Sequence, residues 1–98
     1  MIRHIVLFTW KPETTEGQKD LVASELSVLS KTVPGIRAYH FGADAGLVAA
    51  GNADFALTAD FDDADAYQVY RNHPAHLEVL ENTIKPILER RVAAQLEI

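Results

Sequence analysis

Residues 2–10 read Ile2-Arg3-His4-Ile5-Val6-Leu7-Phe8-Thr9-Trp10, and they carry large apolar side chains at both even and odd positions. Successive side chains of a β-strand point to opposite faces of its sheet. Val6 and Phe8 would therefore share one face with the other even-numbered residues, and Ile5 and Leu7 would share the opposite face. Because both faces are apolar, the pattern predicts a strand that is buried on two sides.

A helix is predicted to follow this strand. Thr15 and Gln18 have the three-residue spacing of a capping box, the local motif that starts many helices. Apolar residues then recur at intervals of four, three and four, the period of one helical face. They are Val22, Leu26, Leu29 and Val33. Pro34-Gly35 predicts the turn that ends this helix.

Two further strands are predicted at residues 36–41 and 54–61, separated by a glycine-containing loop over residues 42–53. Asp62 is expected to cap a short helix that runs through Tyr70. His73-Pro74 should break this helix, and Pro74 should open a new one that carries Leu77, Leu80 and Ile84. Alternation over residues 92–98 predicts a last strand.

The predicted order is β-α-β-β-α-β, which is the ferredoxin-like α+β arrangement with a four-stranded antiparallel sheet. Its helices cover only one face of the sheet. Because the strands carry apolar residues on both faces, the uncovered face would need a partner, and a two-fold dimer is the commonest closed assembly. The sequence therefore predicts a homodimer formed through the sheet face.

The composition of the chain limits the classes of function that are open to it. Its 98 residues fit one domain, residues 1–98, and the absence of cysteine excludes disulfides and thiolate chemistry. A net charge of −5 without a basic cluster argues against nucleic acid and anionic membranes as partners. No signal peptide or membrane-spanning stretch is seen, so a cytoplasmic location is expected.

The segment Tyr70-Arg71-Asn72-His73-Pro74-Ala75-His76 is the strongest candidate for a chemical site. Tyr70, His73 and His76 follow one another at three-residue steps, so on a helix they could share a face. Histidine has a pKa near neutrality, which makes the cluster a candidate acid–base pair. His73 and His76 alone are too few ligands for a zinc site, and no metal or cofactor is predicted.

The whole chain resembles the stress-responsive A/B barrel domain family, called Dabb. The matching segments are Ile2 to Phe8, Val33 to Ile36, Asp54 to Leu57, Ala59 to Phe61, Tyr70 to His76, and Lys85-Pro86. The resemblance implies a homodimer in which two ferredoxin-like sheets close into an α/β barrel with helices outside.

The best understood enzyme of that family is a plant olivetolic acid cyclase, a polyketide cyclase that performs an aldol condensation. The resemblance implies that Tyr70 and His76 form the acid–base pair and that His4 lies in the pocket. Phe55 and Leu26 stand where that enzyme has a histidine and a tyrosine, which would make this pocket more apolar. Phe8 and His73 are also expected at the ligand pocket, with His73 in a capping or loop role.

Three functions remain open at this point. The first is binding of a small apolar or polyketide-like carbonyl compound, with cyclase or lyase chemistry and no redox cofactor. There His76 would take a proton, Tyr70 would stabilise the oxyanion and His4 would orient the ligand. The second is a non-catalytic stress-related dimer, in which these three residues are structural. The third is a haem-binding or monooxygenase-like role, by analogy with other dimeric barrels.

Overall fold

Four strands form one antiparallel sheet with the spatial order β2-β3-β1-β4. The computed structural model describes residues 1–98. Its strands are β1 (Ile2–Trp10), β2 (Ile36–Ala43), β3 (Phe55–Phe61) and β4 (Leu88–Glu97), and its helices are α1 (Glu16–Thr32), α2 (Ala64–Asn72) and α3 (Pro74–Val79). The predicted ferredoxin-like order β-α-β-β-α-β is confirmed.

The two faces of β1 have different surroundings. Val6 and Phe8 are buried under the helices, each with 3% or less of its surface exposed. On the other face Leu7 is 41% exposed, and it lies beside Val92 of β4, which is 47% exposed. The helices therefore cover one side of this strand, and the protomer leaves an apolar sheet face open.

Helix α1 starts and packs as its sequence predicts. The Thr15 hydroxyl accepts a hydrogen bond from the Gln18 backbone N–H, and the Gln18 side chain accepts one from the Thr15 N–H, which completes the capping box. Val22, Leu26 and Leu29 are each 2% exposed or less and pack against the sheet. The buried face of this helix is part of the layer that covers one side of the sheet.

The cap of α2 is Asp63 and not Asp62, so that prediction was one residue early. The Asp63 carboxylate accepts a hydrogen bond from the Ala66 N–H at 2.9 Å. Asp62 instead forms an ion pair with Arg37 of β2 at 2.7 Å. Asp62 is thus paired with Arg37 of β2, and Asp63, the next residue, caps the helix.

The segment after Pro74 is less regular than predicted. Its α-helix ends at Val79, and a π-helical turn over Leu80–Ile84 and a 3-10 turn over Lys85–Ile87 follow. Strand β4 begins at Leu88, four residues before the predicted start at residue 92, because pairing with β1 extends along the polar residues of this segment. None of the helices is both long and apolar enough to cross a bilayer.

Candidate functional site

A cleft of about 490 Å³ lies between the β1–β4 side of the sheet and the segment formed by α2, α3 and the turns that follow. This volume is in the range of small-molecule pockets. The residues that wall it include His4, Tyr67, Tyr70, His76 and Arg91. A smaller void of about 20 Å³, large enough for about one water molecule, lies deeper and shares His4, Tyr70, His76 and Arg91 with the cleft.

His76 lies on α3, and one of its ring nitrogens makes a hydrogen bond within the chain while the other makes none. Its Nδ1 lies 3.0 Å from the carbonyl oxygen of Arg71, which can only accept, so Nδ1 carries the hydrogen. In the neutral ring Nε2 is then an acceptor, and it makes no hydrogen bond within the chain. Burial lowers the pKa of His76, the hydrogen bond to the Arg71 carbonyl offsets part of this effect, and the positive charge of Arg91 lowers the pKa further. The imidazole is therefore neutral at pH 7 and can accept a proton.

Tyr70 packs its ring on His76, with ring centroids 4.4 Å apart. Its hydroxyl, however, lies 2.8 Å from the hydroxyl of Tyr39 on β2. Burial raises the pKa of Tyr70 to about 12, so the phenol keeps its proton at neutral pH and can serve as a donor. The predicted pair is thus in contact, but through the two rings and not through a hydroxyl–imidazole hydrogen bond.

His4 is 3% exposed and lies on the helix-covered face of β1. Its Nδ1 is 2.9 Å from the side-chain nitrogen of Gln95 on β4, and an amide nitrogen can only donate, so the ring hydrogen is on Nε2. Burial lowers the pKa of His4 to about 4, with smaller effects from the charges of Arg91 and His76. At neutral pH this residue is a neutral donor at the wall of the cleft.

The structure separates the four predicted pocket residues into two groups. Phe8 and Leu26 wall the deeper void behind His4 and Tyr70. Phe55 lies outside both spaces, in an aromatic cluster with Phe8 at a ring distance of 6.2 Å. His73 also lies outside, and its Nδ1 caps α3 by accepting a hydrogen bond from the Ala75 N–H at 3.1 Å.

Four residues of the site were missed in the sequence. Tyr67 precedes Tyr70 by three residues on α2, a spacing that could have placed both on one face, and its ring lies 5.0 Å from that of His4. Tyr39 and Gln95 are found only through their long-range hydrogen bonds. Arg91 was missed because the last strand was predicted to start after it.

The arrangement can hold a small organic molecule and move a proton, and it offers no obvious metal site. No group of three or more His, Asp or Glu side chains comes together in a geometry that could hold a metal ion. The chemically useful groups are the free Nε2 of His76, the Nε2–H of His4, the phenols and the guanidinium of Arg91. Together they give the cleft one free acceptor and several donors, the groups that acid–base chemistry uses.

The sheet order and the single helical layer define a ferredoxin-like α+β domain with a polar cluster in the space between sheet and helices. Residues 2–98 match the Stress responsive A/B Barrel Domain family, Dabb. The chain belongs to this family, as its sequence motifs predicted.

Solved structures of similar chains support the assignment. A dimeric ferredoxin-like protein of unknown function from Thermobifida fusca is 45% identical, with a TM-score of 0.90, and the match covers 99% of this chain and 90% of that chain. A Dabb family protein from Mesorhizobium loti is 20% identical, with a TM-score of 0.83 and coverage of 99% and 95%. The hydroxynitrile lyase of Passiflora edulis is 22% identical, with a TM-score of 0.86 and coverage of 99% and 92%.

The similarity of the Thermobifida fusca protein, which is described as dimeric, supports homodimerisation of this chain. The two remaining structures are less than 25% identical and show the shared fold. No curated protein matches the sequence.

Proposed function

We propose that this Dabb protein binds a small carbonyl compound in the cleft and catalyses proton transfer at the carbon next to the carbonyl, as a lyase or cyclase does. The observation that carries the proposal is the state of His76. Its Nδ1–H is held by the Arg71 carbonyl, its Nε2 is unpaired, and its ring walls the cleft. Neutral imidazole fixed in one tautomer is the form that a general base requires.

The chemical step needs a base and a group that stabilises the resulting anion. Nε2 of His76 takes the proton from the carbon, and the C–H electron pair moves into the carbonyl to give an enolate oxygen. The Nε2–H of His4 is a neutral donor in the same cleft, suited to hydrogen-bond that oxygen. The enolate carbon then attacks a second carbonyl, whose oxygen takes the proton from the His76 imidazolium, or the enolate takes that proton back at carbon. Either route regenerates neutral His76, and no redox cofactor is needed.

Tyr70 assists only if its hydroxyl hydrogen is free to point at the ligand. In a hydrogen bond between two hydroxyls, the donor hydroxyl uses its hydrogen, while the hydrogen of the acceptor hydroxyl stays free for another partner. When Tyr39 donates to Tyr70, the hydrogen of Tyr70 remains available for an oxyanion. Tyr39 therefore acts as a positioning residue for Tyr70 in this mechanism.

The fold relatives are compatible with lyase-type chemistry. The Passiflora edulis protein is a hydroxynitrile lyase, which indicates that this fold supports lyase chemistry. The similarity to it is limited to the fold, so the substrate of this chain is inferred from the cleft alone. Its apolar wall residues Leu77, Leu80, Ile84 and Leu88 favour a ligand with an alkyl or aryl part.

The open sheet face is proposed as the dimer interface. It exposes Leu7, Val92 and Leu96, which are 41%, 47% and 51% exposed in the protomer. Two such faces packed together would remove this apolar surface from water and close the two sheets into a barrel. The cleft lies on the other side of the sheet, so each protomer would keep its own site.

Deuterium exchange provides the test of the proposed reaction. Alkyl and aryl ketones and diketide thioesters are incubated in deuterated water, and loss of the proton signal next to the carbonyl is followed by NMR. The wild-type protein should accelerate exchange of at least one compound, and His76→Asn, which keeps an N–H donor but no base, should abolish the acceleration.

The control is Gln68→Ala, which changes an exposed residue of α2 that does not wall the cleft. It should exchange at the wild-type rate. Exchange that is equal for wild type and His76→Asn would contradict the proposal.

A further inference from the structure

The charged residues around the cleft are all cationic. Arg71, Lys85 and Arg91 wall it, and no aspartate or glutamate does. The chain as a whole carries a net charge of −5, so this local excess of positive charge runs against its composition. Charge concentrated in a concave site selects ligands of the opposite sign.

Arg91 is the cation most closely associated with the proposed catalytic groups. It walls both the cleft and the deeper void, where His4, Tyr70 and His76 are also found. It lies opposite Phe8 in the β1–β4 pairing, on the helix-covered face of the sheet. Because it shares the walls of both spaces with His4, Tyr70 and His76, its positive charge also lowers the pKa of each of the three.

Arg91 has no anionic partner within the chain. Lys85 is already paired with Glu81 at 2.8 Å, whereas Arg71 and Arg91 make no ion pair and no side-chain hydrogen bond, and of these two only Arg91 also walls the deeper void. A guanidinium presents a planar fork of donors that matches a carboxylate with two parallel hydrogen bonds. A carboxylate on the ligand would be the anionic partner that Arg91 lacks within the chain.

From this geometry we propose that the cleft selects carbonyl compounds that also bear a carboxylate, and that Arg91 binds this carboxylate beside His76. The inference rests on the proposed function for the carbonyl, and it adds the charge of the substrate. Apolar residues such as Leu80 and Ile84 would contact the carbon chain between the two groups. Arg91 is then a specificity-determining residue.

Levulinate and ethyl levulinate provide the test, since both are ketones and only the first carries a charge. Dissociation constants are measured by NMR titration of the labelled dimeric protein. Wild type should bind levulinate more tightly than the ester, by roughly ten- to a hundredfold, as expected of a charge-assisted hydrogen bond. Arg91→Ala should remove this preference while ester binding stays unchanged.

Variants and controls make the result specific to Arg91. Arg91→Gln keeps most of the length of the side chain and should also lose the preference for levulinate over the ester. It provides a second neutral variant if Arg91→Ala folds poorly. Lys31→Ala changes the net charge equally in the last turn of α1, does not alter the cleft wall, and should keep the preference for levulinate. Arg91→Lys, with its charge but no fork, should give an intermediate preference.

Several outcomes would overturn the inference. They are equal affinity for acid and ester, a preference that survives both neutral Arg91 variants, tighter binding of inorganic phosphate than of levulinate, and no binding of levulinate at all. Failure of the proposed reaction is separate: levulinate would then bind in an Arg91-dependent manner, while His76→Asn left deuterium exchange unchanged.

Discussion

The hydroxyl of Tyr70 lies 2.8 Å from the hydroxyl of Tyr39, while the ring of Tyr70 packs on the imidazole of His76. Tyr70 thus connects β2, on which Tyr39 lies, to the residue proposed as the base on α3. Both phenols are largely buried, and burial raises the pKa of each, so both remain protonated. Their hydrogen bond is a long-range polar contact between the two sides of the core.

Tyr39→Phe should lower the free energy of unfolding by about 1–2 kcal/mol, because it leaves the buried Tyr70 hydroxyl without its partner. The double variant with Tyr70→Phe should cost less than the sum of the two single changes. Urea unfolding at one fixed protein concentration measures this. Tyr67→Phe is the control, since the Tyr67 hydroxyl makes no hydrogen bond within the chain, and strict additivity would contradict the coupling.

Stability should fall as the pH is lowered from about 6.5 to about 4, the unfolded and folded pKa values of His4. Between these values the unfolded chain binds a proton that folded His4 rejects, so acid favours unfolding. The loss is on the order of 3 kcal/mol, and the lowered pKa of His76 acts in the same direction. The groups that face His4 are Gln95, Tyr67, Tyr70, His76 and Arg91.

Urea unfolding across this pH range tests the prediction. His4→Gln should flatten the profile because it removes the titrating ring, and Gln68→Ala, an exposed change outside the cleft, should keep the wild-type profile. A profile of unchanged slope in His4→Gln would show that other groups account for the acid sensitivity.

Val92→Asp should convert the dimer to a monomer. If the open sheet faces pack together, the aspartate would be buried without a partner, which costs about 3 kcal/mol. Val28→Asp makes the same change on the outer surface of α1, where the valine is 65% exposed, and it should stay dimeric. Sedimentation velocity distinguishes the two species, and a dimeric Val92→Asp would place the interface elsewhere.

Thr15→Ala should destabilise the protein by about 1 kcal/mol, because the capping box of α1 is lost. Thr14→Val, at the adjacent position, is the substitution for comparison. The Thr14 hydroxyl is buried without a hydrogen-bond partner, so its replacement by an isosteric methyl group should be neutral or stabilising. Thermal unfolding of the two variants at equal concentration gives the comparison, and equal losses would contradict the assigned roles.

The candidate site was predictable in part from local sequence. The tyrosine and two histidines of the Tyr70–His76 segment lie on one short stretch, and Pro74 marks the break between α2 and α3. The capping role of His73 also follows from its place before that proline. The partners of these residues were not predictable, since the hydrogen bond from Gln95 to His4 joins positions 91 residues apart.

The amino-acid sequence by itself determined the order of strands and helices, the apolar character of both sheet faces and the membership of the family. These features depend on local periodicity and capping, which act over a few residues. Only the tertiary structure decided that Tyr70 turns its hydroxyl to Tyr39, that Arg91 joins the cleft and that Phe55 and His73 lie outside it. Such choices depend on side-chain directions and on strand pairing between distant segments, which no local pattern encodes.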